Sequence, residues 1–261
     1  MAKPVAVITG ASSGIGLEFA RKLAKTYDLL LVARRLDRLE EAKAGLQKDF
    51  GAQVEVMVAD LTDDGDLTAV EAKIAGEARL GLLVNNAGIG LGAGPFWEKP
   101  LEAHEQMFKL HVTATMRLSH AALGNLAARG EGGVINVSSV AGFLVRPGTA
   151  SYSTTKGWIR TFTEALALDL HAVGSKVKVQ ALCPGFTYTE FHDVMGVDRR
   201  KVAGEKLWMK ASDVVDASLA GFAKGKLIVI PGWRYKAMVG VLGSLPRGLR
   251  QAVIGAAVSK K

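Results

Sequence analysis

The sequence predicts an α/β domain built on a doubly wound parallel sheet of about seven strands. Three observations predict it. Short apolar runs alternate with longer amphipathic stretches about six times over. The runs lack polar alternation, as strands buried on both faces do. The first run ends in a glycine-rich turn that opens a helix, the local signature of a Rossmann-type sheet. With 261 residues, 49% of them hydrophobic, the chain can fill one large core.

Taken in order, the expected strands are Val5–Thr9, 29–33, Val54–Val58, 82–84, 134–137, 177–182 and 227–230. Each is short and rich in Val, Ile or Leu. Between them lie helical periods. Leu67, Val70 and Ile74 recur at spacings of three and four, as do Ile159, Phe162, Leu166 and Leu170. Two long connections, 88–100 and 185–211, follow the carboxyl ends of strands, where ligands sit in this architecture. Residues 1–230 therefore form one domain that includes the substrate loop 185–211.

Residues 231–261 form a basic, apolar extension. They hold Arg234, Lys236, Arg247, Arg250, Lys260 and Lys261 and no acid, so most of the net charge of +8 lies there. Met238, Leu242, Leu245, Leu249 and Val253 recur at helical spacings, interrupted by Pro246. Two readings stand: a basic amphipathic segment making peripheral contact with an anionic membrane surface, or packing on the domain or a neighbouring subunit.

Some classes are excluded. Cys183 is the single cysteine, so no intrachain disulfide forms, and a reducing, cytoplasmic setting is expected. The first apolar run is too short for a signal peptide, and no run approaches the ~20 residues of a membrane span. The five histidines, 104, 111, 120, 171 and 192, show no metal-ligand spacing, so no metal is expected. A G-x-S-x-G nucleophile elbow is missing. Basic charge without interleaved aromatics argues against nucleic acid.

The chemistry concentrates in two places. Thr9-Gly10-Ala11-Ser12-Ser13-Gly14-Ile15-Gly16 joins the first strand to the first helix. Glycines there permit a tight turn, and the helix directs its positive end at an anion such as a pyrophosphate. The second strand ends in Ala33-Arg34-Arg35. An NAD site would place an acid on the ribose there, whereas arginine suits the 2′-phosphate of NADP(H). NAD(H) is the less favoured cofactor. The plain alternative is a solvated pair of loop charges. The second place is Tyr152 and Lys156, four apart on one helical face. A neighbouring ammonium would favour the phenolate and make the pair an acid/base unit. Ser138 and Ser139 end a strand upstream, where a hydroxyl can meet a substrate carbonyl or merely satisfy backbone.

With these motifs in hand, the chain resembles the short-chain dehydrogenase/reductase family over most of residues 4–230. The resemblance rests on the Thr9–Gly16 turn, Asp60-Leu61, Asn85-Asn86-Ala87-Gly88, Ser139, Tyr152 with Lys156, and Pro184-Gly185 with Thr189. It implies hydride transfer between NADP(H) and a carbonyl/alcohol pair. Ser139 would orient the carbonyl, Tyr152 would move the proton, and Lys156 would hold the nicotinamide ribose and tune Tyr152. Gly10, Ser12, Ser13, Gly14, Ile15, Gly16, Arg34, Arg35, Asp60, Leu61, Asn86, Ala87 and Gly88 would line the cofactor, with Asp60 on the adenine. Pro184, Gly185, Thr187 and Thr189 would flank the nicotinamide. The resemblance also implies a homodimer or homotetramer through helices near 101–127 and 151–173.

One position departs from the family. Where an asparagine is usual in the helix after the fourth strand, this chain has His111. In the family the backbone carbonyl there helps hold a water that contacts the lysine, and histidine supplies the same carbonyl. Its imidazole either titrates within the relay or packs inside the helix. Phe96, Trp97, Phe143, Leu144, Phe186, Tyr188, Phe191, Met195, Trp208 and Met209 border the expected nicotinamide position and imply a pocket for a lipophilic substrate. No Arg or Lys is plainly placed to clamp a substrate carboxylate, and Arg146 and Arg199 are the candidates left open. The rival to an enzyme is an NADP(H)-binding sensor or scaffold with little turnover, which would bind cofactor without depending on Tyr152.

Overall fold

The structure, a computed structural model, describes residues 2–92, 94–190, 204–246, 248–249 and 251–252. Six strands and the helices between them come first: β1 Val5–Thr9, α1 Gly14–Leu23, β2 Asp28–Ala33, α2 Leu36–Phe50, β3 Val54–Val58, α3 Asp64–Gly76, β4 Leu80–Asn85, α4 Leu101–Phe108, α5 Thr115–Arg129, β5 Gly133–Val137, α6 Ala150–Ala172 and β6 Lys178–Leu182. Then follow β7 Thr187–Tyr188, β8 Met209–Lys210, α7 Ala211–Ala223, β9 Ile228–Val229 and α8 Trp233–Ser244. The main sheet has seven parallel strands in the order β3-β2-β1-β4-β5-β6-β9. The expected strand count and topology are therefore met within this chain.

The strands explain the two helical layers. Along β1 the side chains alternate faces. Ala6 and Ile8 join Leu29, Leu31 and Val84 in one core, covered by Phe19 of α1, Leu39 of α2 and Val214 of α7. Val5 and Val7 join Leu30, Val32 and Leu83 in the other, covered by Leu67, Val70 and Ile74 of α3 and by Leu118 and Leu126 of α5. Both faces of the central strands are dry, which is why their sequence is continuously apolar. Edge strand β3 is the exception. Its pattern is mixed, with Glu55 and Val58 exposed, so the expectation of strands buried on both faces fails there. It has one strand neighbour, β2.

Strand order runs outward in one direction from β1 and in the other from β4. The crevice between these two carboxyl ends is the topological switch point, where ligands bind in open α/β sheets. Of the two long connections, 88–100 holds a short 3₁₀ turn at Phe96–Glu98, and 185–211 closes partly through a two-stranded ladder of β7 with β8. Between α4 and α5 the helix widens to a π-type turn at Lys109–Ala114, which contains His111. No described helix is long and apolar enough to cross a membrane.

Leu83 sits in the central strand β4 with no solvent exposure. Leu83→Ala is expected to destabilise the fold by about 2–5 kcal/mol, from lost burial plus the cavity left behind. Urea unfolding should show a lower midpoint at unchanged slope.

Candidate active site

The glycine turn and the exit of β4 are stitched together. The Thr9 hydroxyl accepts hydrogen bonds from the Asn86 and Ala87 backbone N–H groups, each at 3.0 Å. The Asn86 side chain donates back to the Thr9 and Gly10 carbonyls at 2.9 and 3.2 Å. Gly10 has φ +64°, and a Cβ on Gly16 would fall 2.3 Å from the Gly10 carbonyl oxygen. Only glycine permits that approach of helix to strand. Helix α1 then begins at Gly14 with no acid in its first turn and no side-chain cap from Ser13, leaving its N–H groups available to an anion. Ile15 is half-buried with its side chain against the core, and Leu61 is buried.

Two arginines flank this cradle. Arg35 donates to the Ser12 hydroxyl at 3.2 Å and pairs with Glu190 at 3.0 Å. That hydrogen bond and the Arg35 charge hold Glu190 below the usual carboxylate range. Arg34 lies 3.6 Å from Asp60. Burial pushes Asp60 up, but the hydrogen bonds from Thr62 and the Arg34 charge outweigh it and leave its pKa lowered. The donors present, uncapped helix N–H groups, serine hydroxyls and a guanidinium, are the set a dinucleotide phosphate needs.

Across the crevice stand the proton-handling groups. Ser139 caps the 3₁₀ turn after β5, accepting from Ala141 N–H at 3.1 Å, and its hydroxyl hydrogen-bonds Tyr152. Ser138 instead donates to the Lys156 carbonyl at 2.6 Å, fastening β5 to α6. The two serines differ in that Ser139 alone reaches Tyr152, in addition to its backbone partners at Ala141 and Pro184. Lys156 is buried and donates from Nζ to the Val137 carbonyl at 2.9 Å. Its Nζ is 5.9 Å from the centroid of the Tyr152 ring.

The electrostatics differ from the simple expectation for a Tyr–Lys pair. Burial pushes the Tyr152 phenol up, with the Ser139 hydrogen bond pulling the other way. Burial also lowers Lys156 to about 8. Desolvation is thus the largest influence on both groups. His111 is fully buried, and burial first and the Lys156 charge second hold it well below the ordinary histidine pKa. It is a neutral imidazole, so the titrating reading fails. Nor is it inert packing, because both ring nitrogens are hydrogen-bonded, Nε2 to Ile89 N–H at 3.0 Å and Nδ1 to Thr155 at 2.9 Å.

The exits of β5 and β6 are joined by Val140 N–H to the Pro184 carbonyl at 3.0 Å. Gly185 lies against Tyr235 of α8, where a Cβ would fall 2.0 Å from the ring. The Tyr235 hydroxyl accepts from Phe186 N–H at 2.9 Å and donates to the Leu207 carbonyl at 2.7 Å. Nothing in the pattern around 231–261 marks this residue. Thr187 is buried and donates to the Gly185 carbonyl, and Thr189 packs its methyl beside Gly14. Beyond Gly185, Trp208 meets Phe186 and Tyr188 at ring separations of 5.3 and 5.2 Å, with Arg146 over Phe186 at 5.7 Å. Trp97 is 80% exposed and stands apart from this cluster. Phe191, Met195 and Arg199 lie outside the described residues.

A parallel sheet with an anion cradle at its switch point, and opposite it a buried serine and lysine beside a half-buried tyrosine, defines a nicotinamide-nucleotide oxidoreductase. The family model for short chain dehydrogenase matches residues 4–199. A short-chain dehydrogenase from Sphingobium yanoikuyae, solved in complex with NADPH, is 36% identical with a TM-score of 0.84, covering 97% of this chain and 95% of that one. The bulky-bulky ketone specific alcohol dehydrogenase from Comamonas testosteroni is 30% identical with a TM-score of 0.79, covering 95% and 96%. Gluconate 5-dehydrogenase of Gluconobacter oxydans is 29% identical over 87% of this chain and 93% of its own length. The chain belongs to the short-chain dehydrogenase/reductase family. It is an oxidoreductase of alcohol and carbonyl groups.

The buried lysine makes a pH prediction. Its folded pKa, about 8, lies below the unfolded value of about 10.4. Between these the unfolded chain binds more protons at this site, so stability rises with pH, and it is lost again as pH falls through 8. Stability curves of wild type and Lys156→Met should diverge across that window with a slope of up to about 1.4 kcal/mol per pH unit. Parallel curves would show that Lys156 is not desolvated.

Proposed function

We propose that this chain is an NADP(H)-dependent reductase of lipophilic ketones or aldehydes, with Tyr152 as the proton donor. The observation that carries it is the Ser139–Tyr152–Lys156 group, with the serine and lysine buried and the tyrosine half-buried, opposite a cradle lined by Arg35. NADPH, when bound, supplies the hydride. The chain's own residues do the rest. Ser139 donates a hydrogen bond to the substrate carbonyl and holds the Tyr152 hydroxyl beside it. Burial keeps Tyr152 protonated at neutral pH, the form that delivers a proton to the developing alkoxide. Lys156 projects toward Gly88 and supplies a donor on the nicotinamide ribose side. Gly10, Gly14 and Gly16 admit the pyrophosphate to the α1 N-terminus, and Asp60 faces the adenine.

Preference for NADP(H) over NAD(H) rests on Arg35 with Ser12, and on Arg34, just after β2, whose last residue is Ala33 rather than an acid. The NADPH-bound Sphingobium structure agrees with it. A lipophilic substrate fits the Phe186–Trp208–Tyr188 cluster and the partly exposed Phe96, and the Comamonas enzyme is specific for bulky ketones. Apolar side chains exposed on α4, α5 and α6, among them Leu101, Met116 and Leu168, suit the faces of a homodimer or homotetramer. Trp233 and Val241 on α8, flanked by Arg234 and Lys236, offer the peripheral membrane contact, which co-sedimentation with anionic liposomes tests.

Fluorescence titration should give an NADPH Kd at least about tenfold below that for NADH. Arg35→Ala should shrink the difference by about 10- to 150-fold, as loss of one charge-assisted hydrogen bond implies. Equal affinities in the wild type would remove the 2′-phosphate assignment. Tyr152→Phe should bind NADPH normally and lose most turnover; retained turnover would remove the proton-donor role and favour a cofactor-binding scaffold.

A further inference from the structure

Two histidines on one helical segment contact the same loop and the same helix in matching ways. His111 accepts from Ile89 N–H at 3.0 Å through Nε2, and its Nδ1 lies 2.9 Å from the Thr155 hydroxyl. His104 places Nε2 3.1 Å from the Phe96 carbonyl and Nδ1 2.8 Å from the Ser151 hydroxyl. Ile89 and Phe96 lie near the two ends of the loop 88–100 after β4. Ser151 and Thr155 lie on α6, next to Tyr152 and Lys156. Both histidines are buried.

We propose that His104 and His111 form a two-point brace that fixes the substrate-side loop 88–100 against the helix bearing Tyr152 and Lys156, and that they do so as opposite imidazole tautomers. This rests on the reading of that loop as substrate-facing.

The tautomers follow from the partners. An amide N–H can only donate, so Nε2 of His111 carries the lone pair and Nδ1 the proton. Nδ1–H then donates to the Thr155 oxygen, whose own hydrogen goes to the Tyr152 carbonyl at 3.1 Å. The donor chain runs in one direction from the loop to the backbone of Tyr152. A carbonyl can only accept, so Nε2 of His104 carries its proton. In the neutral ring Nδ1 of His104 accepts from the Ser151 hydroxyl. Burial and the Lys156 charge, which hold His111 neutral, favour the same assignment.

Further contacts show what is being held. The His104 ring packs on the Phe96 ring at a centroid separation of 4.5 Å, so one side chain holds both the backbone and the ring of this loop residue. The His111 ring meets the Tyr152 ring edge-on at 5.9 Å. A Cβ on Gly88 would lie 3.0 Å from His111 Nε2 and 3.5 Å from Lys156 Nζ, so the loop, the imidazole and the lysine converge on one spot. Asparagine at position 111 is shorter than histidine and would not span Ile89 and Thr155 together. The π-type turn at Lys109–Ala114 is the local irregularity that directs this ring inward. His104 and His111 are positioning residues: they act on substrate through the loop and on Tyr152 through α6.

The test has an arm that needs no activity. In ¹⁵N-histidine-labelled protein at pH 8, the imidazole spectra should show His104 protonated at Nε2 and His111 protonated at Nδ1, and the Ile89 amide should exchange slowly with solvent. Identical tautomers, or a rapidly exchanging Ile89 amide, would overturn the brace whether or not the wild type turns over. The second arm follows NADPH oxidation with benzil as the carbonyl probe. His104→Leu should raise KM about tenfold with kcat and NADPH affinity nearly unchanged, a loss of about 1.4 kcal/mol in substrate placement. His104→Gln keeps an N–H for the Phe96 carbonyl, and His111→Gln keeps an oxygen for Ile89 N–H. Each should recover most of what the matching leucine variant loses. Glutamine variants no better than the leucines, or leucine variants with wild-type KM, would overturn the proposal. A wild type that fails to oxidise NADPH while showing the two tautomers would instead count against the reductase reading.

Discussion

The junction of β1 and β4 is the constraint on which the site depends. Parallel strands in this sheet end on the same side, so their last backbone groups face a common crevice and need partners. One hydroxyl supplies them. Thr9 takes the N–H groups of Asn86 and Ala87, while the Asn86 amide returns two hydrogen bonds to the carbonyls of Thr9 and Gly10. The glycine turn is thereby fixed relative to the loop that follows β4. With Gly16 in contact with the Gly10 carbonyl, helix α1 has one available position, and its first N–H groups point into the crevice. An anion cradle so built needs little rearrangement to accept a phosphate, which is the advantage of preorganisation.

Opposite the cradle the logic is one of desolvation. Lys156 is inside the protein with a single backbone carbonyl to receive its proton, and its pKa of about 8 records the cost. The same burial keeps Tyr152 neutral. A dry site strengthens the interaction of any polar group brought into it, and ligand oxygens would find a lysine with donors to spare. Cys183, pushed up to about 12 by burial, shares this dry environment and stays a thiol. His111 is neutral for the same reason. The family resemblance drew attention to the position, but the environment decides its protonation.

Much of this was legible in the sequence, and what was not has a physical reason. The central strands were visible because both their faces are covered, which leaves no polar position to interrupt an apolar run. Edge strand β3 lies at the expected Val54–Val58, but its burial on both faces fails because Glu55 and Val58 lie at the exposed margin. The strand expected at 227–230 shrinks to Ile228–Val229, since a strand at the other edge pairs on one side alone. The glycine turn and Asn86 were readable because backbone geometry admits few residue types there, and the fold brings Ser139, Tyr152 and Lys156, the expected acid/base set, close to one another. Tyr235 was not readable. It supports Phe186 and Leu207 from a segment whose composition suggested only a basic extension. His104 was invisible too, because its partners are a backbone carbonyl and a serine from distant parts of the chain.

This division suggests where variation in substrate enters the fold. The cradle and the Ser–Tyr–Lys group stand on strand ends and the first turns of helices, which the two cores fix in place. The segments that would meet the distant parts of a substrate, 88–100 and 185–211, are held in their described residues by side chains: His104, His111 and Lys99 for the first, Tyr235 for the second. A gluconate 5-dehydrogenase and a bulky-bulky ketone specific alcohol dehydrogenase both resemble this chain. A substitution in such a brace moves a whole loop without touching the reacting atoms. A substitution on a strand end moves the chemistry itself. Specificity can therefore change through a few buried polar contacts behind the loops, while hydride and proton transfer remain in the same frame.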